Sequence, residues 1–387
     1  MPSLEHIGIA VDDVDAVLDL YETLLGVVPY KAETVTEQKV RTHFLSADSA
    51  KLELLEALGP ESPVAKYVSK RGEGLHHLAF EVDDADATLQ RLQDAGFRTL
   101  SDTPQPGADG KEIFFLHPKD THGVLVEFCA STPLEWAPDT VDTEHGTLAV
   151  YAAGSPDHPP LLLLHGAAGC TALETTPLMR LLEADFRVLA VDFSGHGRSS
   201  FPEGEDFSAD LFAENARAAL DHFEVDVANV FGFSMGGNMA LQLARRHPAR
   251  VGRIAVHGAN VAWNEERVDA MCARLNADAI AERNPALAQQ LDTVHTDWQR
   301  LFRHIQDFVR SLPALSEAML NATETITHPT LVSAVDRDDL FSMEAPLTLH
   351  RALVNARLAI FPGDRHALPQ APLDRLADEL RHHFSPA

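Results

Sequence analysis

The rhythm of apolar and polar positions changes character near residue 130. Before it, short alternating strands are interleaved with amphipathic helices. After it, solid apolar runs such as LLLLHG (161–166), VLAVDF (188–193) and VANVFGFS (227–234) alternate with helical segments. Solid runs of that length fit strands buried on both faces, in a mainly parallel sheet covered by helices. The stretch from Ala130 to Glu144, ASTPLEWAPDTVDTE, keeps neither period and is rich in Pro, Asp, Thr and Ser. It predicts a linker between a first domain at 1–129 and a second at 145–387. A chain of 387 residues is also longer than one ordinary core accommodates.

The first domain repeats itself. HIGIAVDDVDAVLDLYETLLG from His6 aligns with HLAFEVDDADATLQRLQDAGF from His77. Each copy reads as a strand opening on His, an Asp-Asp turn able to cap a helix, and a helix of period 3.6. Further strands follow in each: KVRTHFLSA and AKLELLEAL in the first, KEIFFLHP and GVLVEFCA in the second. The pattern predicts two βαβββ modules of roughly 60 residues, each too small to bury a core alone. Pairing them folds two half-sheets around one cleft.

That cleft is predicted to bind metal. His6 and His77 begin matching strands, while Glu53 and Glu127 lie in the last strands of the modules between apolar neighbours. With period 2, each Glu faces the cleft if its neighbours pack outside. Two His and two Glu make a mixed nitrogen and oxygen set suited to a divalent ion. Any one of these residues alone reads as an ordinary strand residue; their joint recurrence favours a site. The alignment selects His77 over His76, and His122 falls in a turn before the final strand.

Composition narrows the function classes. A formal charge of −27 opposes binding to nucleic acid or anionic membrane, and an anionic substrate would need a local basic patch. Three cysteines without pair spacing fit a reducing compartment. The N-terminus has no secretory pattern, and no apolar run nears the ~20 residues of a membrane span. The expectation is a cytoplasmic protein.

The motifs HIGIAVDD, LELLE, ESPVAKYVSKRGEG, GLHHLAFEVDD and FLHPKDTHGVLVE resemble methylmalonyl-CoA epimerase, of the vicinal oxygen chelate superfamily, over about residues 4–128. The resemblance implies that fold, with His6, Glu53, His77 and Glu127 as ligands of cobalt, zinc, manganese, magnesium or nickel. It implies inversion of the carbon α to a thioester, with Glu37 as one proton-transfer group and Glu127 as the other. Lys39 stands where close relatives often carry Gly. Domains of this kind often pair edge to edge, so a homodimer is a further expectation.

The second domain holds Gly-Phe-Ser-Met-Gly (232–236) between the strand VANVF and the helix-like NMALQLARRH. That context makes Ser234 a nucleophile on a tight strand-to-helix turn. Small residues after His165-Gly166 let the Ala167 N–H join that of Met235 as an oxyanion hole. VDFSGHGRS (191–199) reads as a structural turn, with His196 architectural. PTLVSAVDRDDLF (329–341) ends a strand in three candidate acids, Asp336, Asp338 and Asp339, and RLAIFPGDRHALP (357–369) places His366 after another. The order Ser, acid, His is that of the α/β-hydrolases, and resemblance to their pattern selects Asp338. Residues 261–328 form a helical insertion expected to be a lid, with His295, Trp298 and Phe302 as possible substrate contacts.

The leading reading is a bifunctional enzyme: metal-dependent epimerisation or enolisation of an acyl-CoA such as methylmalonyl-CoA, plus Ser-His-Asp hydrolysis of an ester or thioester. Two others stay open. One is a glyoxalase-like isomerase fused to a thioester hydrolase; the other is an esterase with a noncatalytic ligand-binding or dimerising N-terminal domain.

Overall fold

In the computed structural model, the repeat folds as a repeat. The structure describes residues 3–25, 31–35, 38–47, 50–82, 84–108, 111–131, 136–204, 206–261, 263–283, 285–338, 340–362, 366, 368 and 373–385. The chain divides into two compact units, Met1–Glu135 and Trp136–Ala387.

The first module contributes β1 (Ser3–Val11), α1 (Val14–Leu25), β2 (Lys31–Val35), β3 (Val40–Ala47) and β4 (Ala50–Ala57). Helix α2 (Pro63–Arg71) lies between the modules and has no counterpart in the repeat. The second module contributes β5 (Gly74–Glu81), α3 (Ala85–Asp94), β6 (Gln105–Pro106), β7 (Lys111–Leu116) and β8 (Leu125–Ser131). All eight strands form one sheet in the order β2-β3-β4-β1-β5-β8-β7-β6. The order is symmetric about an antiparallel β1–β5 seam, and each module's first strand runs parallel to its last. The predicted caps are present: Asp13 accepts from Ala16 N–H at 3.2 Å and Asp84 from Ala87 N–H at 2.8 Å.

Alternation then sorts the side chains. Leu52 and Leu54 pack with Val11, Val14 and Leu45 beneath α1, while Val126 and Phe128 pack with Leu89 and Leu92 of α3. Glu53 and Glu127, one residue out of phase, therefore face the other side of the sheet.

The second unit comprises β9 (Asp139–Thr143), β10 (Gly146–Ala153), β11 (Pro160–Leu164), α4 (Thr176–Leu182), β12 (Arg187–Val191), α5 (Ala209–His222), β13 (Ala228–Phe233) and α6 (Met235–Arg246). It continues with β14 (Val251–His257), α7 (Glu265–Arg274), α8 (Ala277–Arg283), α9 (Pro285–Val294), α10 (Trp298–Ala322), β15 (Thr330–Val335), α11 (Glu344–Ala352), β16 (Ala356–Phe361) and α12 (Leu373–Phe384). Its sheet runs β16-β15-β14-β13-β11-β12-β10-β9, parallel from β16 to β12 and antiparallel at β10 and β9. Helices α5 and α6 enclose a core on one face, and α4 and α12 a second on the other. Within the segment expected to be a linker, Asp139–Thr143 form an edge strand paired to β10. Residues 261–328 are occupied largely by α7 to α10.

Candidate active sites

The sheet seam of the first unit builds a four-residue cluster from two adjacent cross-strand rows. Gly8 of β1 stands between Glu53 of β4 and His77 of β5; Ala79 of β5 stands between His6 of β1 and Glu127 of β8. Each row thus reads Glu, small residue, His. The small residue is required: a Cβ on Gly8 would lie 2.3 Å from His77 Cε1. The Nε2 atoms of His6 and His77 are 2.8 Å apart. Glu53 Oε2 lies 3.3 Å from the first and 3.4 Å from the second, and Glu127 Oε2 lies 3.3 Å from His77 Nε2. All four residues are buried. They open on a cavity of about 350 Å³ also lined by Phe44 and Phe115.

The orientation of the imidazoles is fixed from behind. Glu5 Oε2 accepts from His6 Nδ1 at 2.5 Å, and the other carboxylate oxygen, Oε1, is paired with Lys51 at 2.5 Å. His76 Nδ1 lies 3.0 Å from His77 Nδ1. With Nδ1 of His6 protonated toward Glu5, its Nε2 lone pair points into the cluster, as metal-ligating histidines require. Burial opposes charge on His6, but Glu5, Glu53 and Glu127 outweigh it and push the imidazole up to about 10. Burial would raise Glu53, yet the two imidazoles hold it down at about 2; Glu127 is raised to about 7, chiefly by burial. Lone pairs converging at this spacing repel unless a cation or proton lies between them. His6, His77 and Glu127 alone offer ligand atoms within 4.8 Å of one another, so the set fits a divalent ion.

Glu37 lies outside the described residues. Lys39 has φ +53°, the left-handed region where glycine is unstrained, and pairs with Glu61. His122 is exposed in a turn at φ +54°. Four residues escaped the sequence reading: Glu5, Gly8, Phe44 and Phe115. The offset of 71 residues that relates His6 to His77 also carries Gly8 to Ala79 and Phe44 to Phe115, and was the available signal.

In the second unit, β13 ends at Phe233 and α6 begins at Met235, leaving Ser234 alone on the turn at φ 51°, ψ −115°. That strain costs about 1–3 kcal/mol and is held by surrounding packing. A Cβ on Gly236 would lie 2.2 Å from Leu164 O, and one on Gly232 2.2 Å from Gly236 O, so both flanking glycines are sterically required. His366 Nε2 is 3.1 Å from Ser234 Oγ, and His366 Nδ1 is 2.8 Å from Asp338 Oδ2. Asp338 Oδ1 accepts the N–H groups of Leu340 and Phe341 at 2.8 and 2.7 Å. Burial would raise this carboxyl, but the His366 hydrogen bond and the two amides hold it below the usual range. Asp336 N–H bonds to Phe361 O, and Asp339 lies outside the described residues.

His196 is buried with Nε2 2.8 Å from Ala167 O. Trp298 and Phe302 pack in the core with α5 and α6, and Trp298 Nε1 donates to Asp292 at 2.8 Å. His295 is buried against Gly197 and Ala168. These three residues of the helical insertion hold structure together where substrate contacts were considered. Glu174, not singled out from sequence, accepts from Gly166 N–H at 2.6 Å, and burial pushes it up to about 7.

The two units therefore define two classes: a paired-module domain with a His/Glu cleft, and a parallel-sheet domain with a serine on a strand-to-helix turn. Residues 5–115 match the glyoxalase/bleomycin resistance protein/dioxygenase superfamily, and residues 159–278 match the α/β hydrolase fold. The first unit is 45% identical over 129 residues to uncharacterized protein YqjC of Bacillus subtilis, covering 33% of this chain and 92% of the relative. It is 40% identical to an ethylmalonyl-CoA/methylmalonyl-CoA epimerase of Cereibacter sphaeroides, covering 32% of this chain and 94% of that protein. The second unit is similar to 2-hydroxymuconate semialdehyde hydrolase of a Pseudomonas species, at 28% identity over 52% of this chain and 78% of that one. Over its first unit the chain belongs to the methylmalonyl-CoA epimerase family, and an α/β-hydrolase domain is fused behind it. Among the described residues, no helix is long and apolar enough to cross a membrane.

Proposed function

We propose that the chain is a bifunctional enzyme. The first unit epimerises or enolises an acyl-CoA such as methylmalonyl-CoA, and the second hydrolyses an ester or thioester. The observation that carries the first half is the convergence of His6, Glu53, His77 and Glu127 from symmetry-related strands. The relatives named as acyl-CoA epimerases support the substrate class. His6, Glu53, His77 and Glu127 would hold a divalent cation, which would supply Lewis-acid stabilisation of negative charge at the thioester oxygen. Glu5 and His76 orient the two imidazoles. Proton transfer at the α-carbon falls, by family resemblance, to Glu127 and Glu37.

In the second unit, His366 Nε2 takes the Ser234 proton as Oγ attacks the carbonyl carbon. Asp338 keeps the proton on Nδ1 and stabilises the imidazolium. The N–H groups of Ala167 and Met235 receive the oxyanion. His366 returns its proton to the leaving group, then activates water against the acyl-enzyme. Residues 261–328 form the lid of this site.

Incubation of metal-loaded protein with methylmalonyl-CoA in deuterated water tests both halves. α-Deuterium uptake is expected with wild type and with Ser234→Ala, and chelation is expected to abolish it. Ester or thioester hydrolysis is expected to vanish in Ser234→Ala. Uptake that survives complete chelation would contradict the metal assignment, and hydrolysis that survives Ser234→Ala would contradict the triad.

A further inference from the structure

The loop after β11 carries one half of the proposed oxyanion hole, and its peptide groups are fastened in sequence. His165 Nε2 accepts Phe193 N–H at 3.0 Å, so Nδ1 carries the proton and donates to Gly166 O at 2.8 Å. Gly169 N–H also reaches Gly166 O, at 3.3 Å. A trans peptide points its N–H opposite to its C=O. Holding Gly166 O therefore aims the Ala167 N–H, which belongs to the same peptide, away from these donors and toward the substrate side. Ala167 O is held by His196 Nε2.

The next peptide is held by the helical insertion. His295 follows α9, and its Nδ1 accepts Gly197 N–H at 2.8 Å. A nitrogen that accepts an N–H is unprotonated, so Nε2 is the donor, and it faces Ala168 O at 3.2 Å. Thr296 Oγ1 donates to Gly197 O at 3.4 Å, tying the same turn down a second time. His295 is 5% exposed, and burial, with His196 nearby, holds its pKa down at about 4, consistent with a neutral ring. The peptide that His295 grips through Ala168 O is the one whose N–H, on Gly169, bonds to Gly166 O. Two peptide units thus connect the imidazole to the Ala167 N–H.

We propose that His295 is a positioning residue for the hydrolase: it clamps the Gly166–Gly169 loop so that the Ala167 N–H meets the oxyanion, making acyl transfer depend on a side chain of the α7–α10 insertion. The proposal rests on the Ser-His-Asp reading. A residue acting this way affects the transition state more than substrate binding, because the hydrogen bond it aims strengthens as oxygen gains charge.

The test uses the full chain with p-nitrophenyl acetate and its thiono analogue, whose C=S accepts hydrogen bonds weakly. Rates are expressed per Ser234 titrated by a fluorophosphonate, so unfolded protein is not counted. His295→Ala is expected to lower kcat on the acetate about 10–100-fold, with KM changed less than about threefold and a much smaller loss on the thiono ester. His295→Gln, whose amide offers one donor and one acceptor, is expected to recover most of the loss. Unchanged kcat on the acetate, or equal loss on both substrates, would overturn the proposal. Ser234→Ala run in parallel separates the outcomes: if it still turns over the acetate, the triad reading fails first.

Discussion

Gly8 sets the width of the His/Glu cleft. Its missing side chain is what allows the His77 ring to lie over β1, whereas its repeat partner Ala79, in the equivalent row, carries a Cβ. Gly8→Ala is expected to displace the imidazole and weaken divalent-cation binding by about 10–100-fold, the range typical of disturbed ligand orientation. Calorimetric titration with zinc or cobalt checks it; unaltered affinity would show that the ring relaxes freely. The convergence of the two His and two Glu was legible because a repeat marks them twice. Glu5 was not, since its role depends on a neighbour's ring nitrogen and not on any period. The three clustered acids at 336, 338 and 339 are separated in the sequence only by resemblance to the hydrolase pattern; in the structure, the turn that presents Asp338 to His366 at 2.8 Å sets it apart from Asp336.

At the scale of elements, the β13–α6 junction depends on a close approach. Helix α6 starts within contact of the β11 backbone, with Gly236 Cα facing Leu164 O. Gly236→Ala is expected to cost about 1–3 kcal/mol, as overpacking against unyielding backbone does, and to slow acylation of Ser234. Denaturant unfolding followed by tryptophan fluorescence is the measure, because Trp136, Trp263 and Trp298 all lie in the second unit. Most strands here announced themselves as solid apolar runs. The strand β9 did not: DTVDT has no buried side chain and is held by backbone pairing to β10. Helix α10 was legible from its apolar period, whereas the contacts of the turn before it were not. His295 reaches partners 98 and 127 residues away, a separation that no local pattern encodes.

The whole hydrolase unit carries a pH dependence in its buried imidazoles. Burial lowers the pKa of His196, His257, His295 and His383 to about 4 and holds His165 well below its usual range. In the unfolded chain each returns toward ~6.5, so the unfolded state binds protons first and stability is lost as pH falls below that value. Each contributes up to about 1.4 kcal/mol per pH unit within its window. Glu174 and Asp192, raised by burial, act in the opposite sense, losing stability as pH rises, but they are fewer than the buried imidazoles. The unfolding midpoint read by tryptophan fluorescence is therefore expected to be lower at pH 5 than at pH 7.5. A flat profile would mean that the rings are protonated in the folded state.

The seam between β1 and β5 has a different consequence. Each half of the first unit owns one imidazole and one carboxylate, and neither half owns a complete coordination set. If the chain were severed after Gly72, the ion would become the rivet of a split protein: metal would drive the fragments together, and a chelator would release them.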